Sequence, residues 1–355
     1  MASETFPSPR TKPALRQHEV ADPGAAERLL KALPDKPRLL AALRGRHVVS
    51  IRHFDADLVL QVLRRAAAWE SGATAASPSM ACKVMGGNLL DDDRPELQLS
   101  FRRAWQGLGG ACIDLSMAAG RILRDNRDLG EVAVLQDNYC DFAVVGTASP
   151  GLLPRLLEHT RVPVINAGDG EDEAPTQALT DLYMLFKWRP HLFERDVPSE
   201  KRLQIGVFGN PANTDTIRSL LFGLALFPQM VERVVLLERL AMTFREGERE
   251  ALEQAGLKIS TITELYPEDT VMGSFGRVVP ELDVIYSHLK QQQAVSRMNM
   301  LEFMGYVKPG LLLLSPRRQV PEFSALINDS PHNGFFAQAR SGVFVRRSVM
   351  SAIMA

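Results

Sequence analysis

Short runs of valine, isoleucine and leucine alternate with segments of helical periodicity along most of this chain. HVVSI at 47–51 predicts a short β-rich start, and DADLVLQVLRRAAAWE then puts Leu58, Val59, Val62 and Leu63 on one stripe behind Asp55, a residue suited to cap a helix. SFRRAWQGLGGACIDL predicts a helix from Ser100, a stop over 107–110 and a strand ending near Leu115. The alternation continues with a strand in DFAVVG from Asp141, a helix in PGLLPRLLEHT, a strand in VPVINA from Val162 and a helix from Pro175. After the polar stretch DVPSEKRL it resumes: a strand in RLQIGVFG, a helix from Thr214, then strands in VERVVLLE, LKISTI, LDVIYS and GLLLLS. Brief continuous apolar runs separated by helices are the mark of parallel strands buried on both faces, so each half reads as a doubly wound α/β domain.

Length supports two such domains, because 355 residues exceed the ~250–300 at which single cores stop growing. The expected divisions are an N-terminal extension, partly mobile, over 1–46; a first domain over 47–185; and a second over 186–334, with the linker near 186–201. The extension is rich in Pro, Ser and charge at its start, and short helices are expected around 25–33 and 37–43 on either side of Pro34. It lacks a hydrophobic signal core, and no apolar run approaches the ~18 residues of a membrane span, so a cytoplasmic protein is expected.

Charge and composition narrow the chemistry. The 45% hydrophobic and 23% charged fractions are those of ordinary globular chains, which sets aside disordered, collagen-like and coiled-coil classes. Lys+Arg 41 against Asp+Glu 42 gives a net charge of −1, leaving no global field to attract nucleic acid or an anionic membrane. Cys82, Cys112 and Cys140 are far apart without a CxxC pair, which fits a reduced compartment and buried small hydrophobes. Gly206 and Gly209 follow a strand but make no GxGxxG, no GxSxG elbow occurs, and the seven histidines form no HExxH. No cofactor and no metal are therefore expected. The Asp91, Asp92, Asp93 run reads as a solvated loop in preference to a divalent-ion cluster. Pro316, Arg317 and Arg318 follow a buried strand, where open α/β sheets bind ligands, and are read equally well as a surface loop.

Several blocks in order, HVVSI with its helix, SFRRAWQGLGGACIDL, VPVINAGDGEDEAPTQALTDLYML, RLQIGVFG, LDVIYSHLKQQQ, VKPGLLLLSPRR and DSPHNGFFAQARSGVFVRRSVMSAIM, resemble the aspartate/ornithine carbamoyltransferase family, most closely its aspartate branch. NAGDG followed by PTQAL at this spacing is the most specific signal. The resemblance covers roughly His47 to the C-terminus. It implies a carbamoyl-phosphate domain followed by an amino-acid domain, with a C-terminal helix (335–355) returning to the first. It also implies a homotrimer whose active sites lie between subunits, a neighbour lending a Ser and a Lys from a loop.

The residues expected at that site are largely absent. Carbamoyl transfer needs cations and helix N-terminal amides around phosphate and donors on the carbamoyl oxygen. Where the family has a Ser-Thr-Arg-Thr-Arg run before LSF, this chain has Arg94, Pro95, Glu96, Leu97 and Gln98, so that a carboxylate replaces the phosphate-binding arginine. Gly146 and Ala174 stand where the resemblance implies an arginine and the oxyanion-donating histidine, although Pro175, Thr176 and Gln177 remain. The loaned lysine falls near Asp125, with Arg124 and Arg127 alongside. In the second half Asp215 and Leu289 replace arginines that hold the substrate carboxylate, Gln291 persists, and Ser315 to Gln319 replaces the family's HPLPR, removing a loop-shaping proline. Losing one oxyanion donor alone costs ~10²–10³ in rate, so classical aspartate carbamoylation is expected to be absent and the cleft to favour a less anionic ligand.

Three functions stay open. One is a non-catalytic structural or regulatory homologue that assembles with an active carbamoyltransferase or another pathway enzyme. Another is a diverged enzyme with a small-molecule substrate of unknown identity: His288, Lys290 and Gln177 as candidate catalytic groups, and Glu96, Arg94, Thr176, Asp215, Gln291, Arg317 and Arg318 as candidate binding groups. His288 is the general acid/base candidate because imidazole titrates near neutrality at a predicted strand exit; its alternative is a solvent-exposed loop histidine. The third is carbamoyl transfer, possible in a specialised biosynthetic pathway, with a donor site rebuilt from Arg94, Arg102, Arg103, Arg317 or Arg318.

Overall fold

A computed structural model describes residues 18–73, 80–90, 95–124, 128–237, 244–262, 277–288, 305–316 and 330–355. The helices are α1 (Ala25–Ala32), α2 (Ala56–Glu70), α3 (Pro95–Gln106), α4 (Ser116–Arg124), α5 (Leu129–Tyr139), α6 (Leu152–Leu157), α7 (Pro175–Trp188), α8 (Asp215–Ala225), α9 (Glu248–Gln254) and α10 (Phe335–Ile353). The strands are β1 (Val84–Leu90), β2 (Ala111–Asp114), β3 (Phe142–Thr147), β4 (Val164–Gly168), β5 (Leu203–Phe208), β6 (Val231–Leu237), β7 (Ile259–Ile262), β8 (Val284–Ser287) and β9 (Leu312–Leu314).

They form two wholly parallel sheets in the orders β2-β1-β3-β4 and β7-β6-β5-β8-β9. This is the expected architecture of two α/β domains. Strands β3 and β4 are buried at every position, as continuous apolar runs require when helices cover both faces. The large core cluster takes side chains from α2, α7, α8, α10 and both sheets, so the two halves share packing along α7 and α8.

The central strand β1 has no counterpart among the elements expected from the sequence. Its Gly86 answers to close packing, since a Cβ there would collide with the Cys140 sulfur. HVVSI also differs from its expected form. Val48 makes only an isolated bridge with Ile165, and Ile51 enters a single 3₁₀ turn (Ile51–His53) that Ser50 caps through its hydroxyl. Helix α3 begins at Pro95, five residues before the expected start.

From His18 onward the N-terminal extension is built into the body. Val20, Ala25, Ala26, Leu29 and Leu33 are buried, and α1 packs on α2 and α7. His18 donates its amide to Asn333 O at 3.1 Å, its ring stacks edge-on against Trp188, and Trp188 Nε1 donates to Glu19 at 2.5 Å. Helix α10 lies against α2, α3 and α7, returning the end of the chain to the first sheet's helices. Among the described residues no helix is long and apolar enough to cross a membrane.

Candidate functional site

The loop that leaves β4 is organised by two side chains. Asn166 donates to Val49 O, Asp169 and Glu173 O, and accepts from Gly168 N at 2.8 Å. Asp169 Oδ1 accepts from the amides of Asp172 and Glu173, both at 2.8 Å, which closes the turn. Burial pushes the Asp169 carboxyl up to about 6 against the pull of the Glu173 amide. Gly170 has φ +85°, and a Cβ there would meet Ala148 O at 3.2 Å, which explains the second glycine of NAGDG.

Glu173, at the end of this loop, is 1% exposed and fully bonded. It accepts from Ser50 Oγ (2.7 Å), Arg52 Nε (2.8 Å), Ile51 N (2.9 Å) and Ser219 Oγ (3.3 Å). Ala174 N donates to the same Ser219 hydroxyl at 2.8 Å. The position of the implied oxyanion histidine is therefore a buried alanine whose amide is tied to α8 of the second domain.

Asp215 opens α8 and is fully buried. Its carboxylate accepts from Gly170 N at 3.1 Å and Thr216 N at 2.7 Å, and its own amide donates to Gly170 O. One turn on, the buried Arg218 guanidinium pairs with Asp172 and Glu248, and Arg245 reaches Asp172 at 2.8 Å. The seam between the β4 exit and the second domain is thus closed by groups of this chain that neutralise one another.

His288 follows β8, buried, with its amide on Phe208 O at 3.0 Å and its Nδ1 2.6 Å from Thr216 Oγ1. It is not the exposed loop histidine of the alternative reading. Gly209 allows this approach, since a Cβ there would lie 2.6 Å from Ile217 Cδ1 and 3.1 Å from His288 O at φ +124°.

Thr176 is buried in the first turn of α7, and Gln177 donates to Asp181 at 2.8 Å. Glu96 stands on another element, exposed in the first turn of α3, where its charge favours the helix N-terminus and opposes an incoming anion. Arg102, a candidate for a rebuilt donor site, is bonded to Asp114 at 2.6 Å. Arg94, Lys290, Gln291, Arg317 and Arg318 lie outside the described residues, as do Asp91–Asp93, Asp125, Arg127 and Leu289. Of the candidates, Thr176, Gln177, Asp215 and His288 are therefore gathered where α7 and α8 begin. Among the described residues no three His, Cys, Asp or Glu side chains are grouped to hold a metal.

Sequence reasoning passed over Glu173, Arg218 and Asp181. Asp181 carried a readable signal, a single charge within the apolar run ALTDLYMLF, where an unpaired carboxylate is too expensive to bury without partners.

Residues 46–187 match a family model described as aspartate/ornithine carbamoyltransferase, carbamoyl-P binding domain. The aspartate carbamoyltransferase catalytic subunit of Methanopyrus kandleri is 26% identical over 330 residues, covering 89% of this chain and 99% of that protein. That of Pyrobaculum calidifontis is 28% identical over 324 residues, covering 87% and 98%. In fold, the chain is similar to aspartate transcarbamoylase from Trypanosoma cruzi in complex with carbamoyl aspartate and phosphate, with a TM-score of 0.74 at 22% identity over 91% of this chain and 99% of that one.

Proposed function

Because the chain belongs to the aspartate/ornithine carbamoyltransferase family, we propose that it keeps the family's fold without its classical activity, as a non-catalytic structural or regulatory homologue. The observation that carries this reading is Asp215. Where the resemblance implies an arginine for the substrate carboxylate, a buried carboxylate is bonded to Gly170 N and Thr216 N. A second anion brought to that spot meets like charge at low dielectric, and among the described residues the neighbouring Arg218 and Arg245 are already paired with Asp172 and Glu248. Glu96 at the α3 N-terminus and buried Ala174 weaken the donor side in the same direction.

Isothermal titration with carbamoyl phosphate, and a carbamoylation assay with L-aspartate, test the reading. No saturable binding and no carbamoyl aspartate are expected; saturable micromolar binding overturns it and revives a rebuilt donor site. In this role the chain assembles as a homotrimer and associates with an active carbamoyltransferase or pathway enzyme. Light scattering and pull-down from the native organism check both. Recovery of a homotrimer alone, together with turnover of a metabolite, rejects the non-catalytic role.

One observation favours a second reading, a diverged enzyme using the cleft for a less anionic substrate: His288 is held at a strand exit by a 2.6 Å contact to Thr216. In that reading His288 is the general acid/base, with Gln177 and Lys290 as the other candidate catalytic groups. Replacement of His288 by Ala that leaves an established activity intact removes the role.

A further inference from the structure

Where α2 and α3 meet α10, the protein carries cations that neither the fold nor the proposed function uses. Arg65 and Trp69 lie one turn apart on α2. The Arg65 guanidinium sits over the Trp69 ring, 5.8 Å from its centroid, and its Nη1 donates to Ser351 of α10 at 3.2 Å. Arg347 of α10 sits over the same ring at 5.8 Å and over Phe344 at 5.5 Å. Its guanidinium also lies against Gly107, where a Cβ would collide with it. Arg103 stands exposed on α3, one turn before Gly107, and its carbonyl accepts the Gly107 amide, so it flanks the same spot.

Three guanidiniums are thus gathered around one partly buried indole. Among the described residues none of the three is within ion-pair distance of a carboxylate, in contrast to Arg64, Arg102 and Arg218. Arg347 Nε is buried without a hydrogen-bond partner among them. The neighbouring sequence has little to offer. Helix α10 contains no acid, Glu96 is the only one in α3 and lies at its far end, Glu70 is turned inward to Lys187, and 71–80 is uncharged. Burial lowers the proton affinity of Arg65 and Arg347, Arg103 adds to the fall at Arg347, and no carboxylate opposes it. Guanidinium nevertheless stays protonated in proteins. A merely solvated row of arginines would reach into water and spread apart. Here like charges are held against an aromatic ring, an arrangement that an anion from outside would stabilise.

We propose that Arg65, Trp69, Arg103 and Arg347 form a docking surface for an acidic segment of a partner protein. Its carboxylates would face the guanidiniums and its chain would pack on Trp69 and Phe344. The cations come from three helices and border partly buried aromatic rings, which suits an extended chain with several carboxylates better than one small anion. Tryptophan with arginine on rigid helices is also the composition of interface anchors. Stacking on the ring and the Ser351 bond fix the guanidiniums beforehand, so little side-chain freedom is lost on docking. Arg103, a candidate for a rebuilt donor site, stands in the last turn of α3, at the opposite end from Glu96.

The surface supplies a contact point for the assembly role and rests on that reading, but the two fail separately. Binding of carbamoyl phosphate would reject the non-catalytic role without moving a signal at Trp69, and a silent Trp69 would reject the surface without restoring the activity.

The experiment is ¹H–¹⁵N NMR of the full-length protein titrated with hexaglutamate at about 0.15 M salt, where exposed charges are screened beyond about 8 Å. The Trp69 indole signal is assigned by its loss in Trp69→Phe. Hexaglutamate is expected to shift that signal saturably and hexaglutamine to leave it in place. Arg65→Gln combined with Arg347→Gln should raise the dissociation constant at least about tenfold. Arg65→Gln combined with Arg103→Gln carries the test if the first pair does not fold. Absence of a saturable shift, or a shift unchanged in the folded variants, overturns the proposal. So does tighter binding of pyrophosphate at the same signal, which makes this a small-anion site. A Trp69 signal that moves with protein concentration and not with peptide assigns the face to a second copy, and overturns it as well.

Discussion

Lys187 and Glu70 form an ion pair at 3.0 Å inside the layer where α2, α7 and α10 meet, the lysine side chain 2% and the glutamate side chain 10% exposed. Tyr183 donates to the second Glu70 oxygen at 2.7 Å, and Lys187 also donates to Ser341 at 2.7 Å, so each charge has a hydroxyl partner as well. Burial lowers the Lys187 ammonium's proton affinity and Glu70 works against that fall. The three helices are joined through one desolvated pair.

Removing one partner is therefore worse than removing both. Lys187→Met is expected to destabilise by about 3–5 kcal/mol, because a buried carboxylate is left without its cation. The double variant Glu70→Met with Lys187→Met should lose much less, since the desolvation penalty goes with the pair. Denaturant unfolding of the two singles and the double decides it; additive losses would show that the pair is not the source.

Gln136 on α5 is fully buried and neither side-chain amide atom has a hydrogen-bond partner among the described residues. Replacing it by Leu removes an unsatisfied donor and acceptor while keeping most of the volume. A gain of about 1–2 kcal/mol is expected in equilibrium unfolding; a loss would mean that the amide does bond in solution.

How far the sequence carried the structure depends on which residues held the information. The α7 helix and strands β3, β4, β5 and β8 were legible because their apolar runs are continuous and bounded by polar or glycine residues. Strand β1 was not, since the packing that demands Gly86 comes from Cys140, more than fifty residues away. The same limit applies to the site. Asp215 and His288 were visible as residue types at strand and helix ends, but the Asp215 bond to Gly170 depends on how the two domains meet, and the His288 bond to Thr216 on how the β8 exit meets α8 within the second. The two short helices expected in the extension lie at 25–32 and 37–43, but their packing on the body was not legible, because it depends on distant partners such as Trp188 and Gly310, against which His18 docks.

His18 makes that docking pH-dependent. Burial is the main reason its ring is pushed down to about 4, from 6.5, with the Gly310 carbonyl opposing. The neutral ring accepts from Val20 N through Nδ1, which protonation forbids. With a depressed folded pKa, the unfolded chain binds the proton first as pH falls, so stability is lost between about 6.5 and 4, on the order of 3 kcal/mol. Lower protection factors across 18–33, with exchange corrected for its intrinsic pH dependence, are expected at pH 5 relative to pH 7 in the wild type, and His18→Phe should flatten the profile. Equal protection factors at both pH values would show that His18 does not control the docking.

Asp181 has the opposite sign. Its native carboxyl is raised by burial to about 7, from an ordinary value of 3.8, so the native protein holds the proton longer and stability falls as pH rises between about 4 and 7. The size is on the order of 4 kcal/mol, comparable to the His18 effect and opposed to it over the same range. Asp169, raised by burial to about 6, adds to the Asp181 slope, so wild-type stability should fall with rising pH. Asp181→Asn, which cannot ionise, should fall less steeply than the wild type, because His18 then opposes Asp169 alone of these two carboxyls. His18→Phe should fall more steeply than the wild type, because both carboxyls lose the opposing imidazole. Unfolding free energies at pH 4.5, 5.5 and 7 for the wild type and both variants measure the slopes. Parallel profiles in all three proteins would mean that neither group titrates as its burial requires.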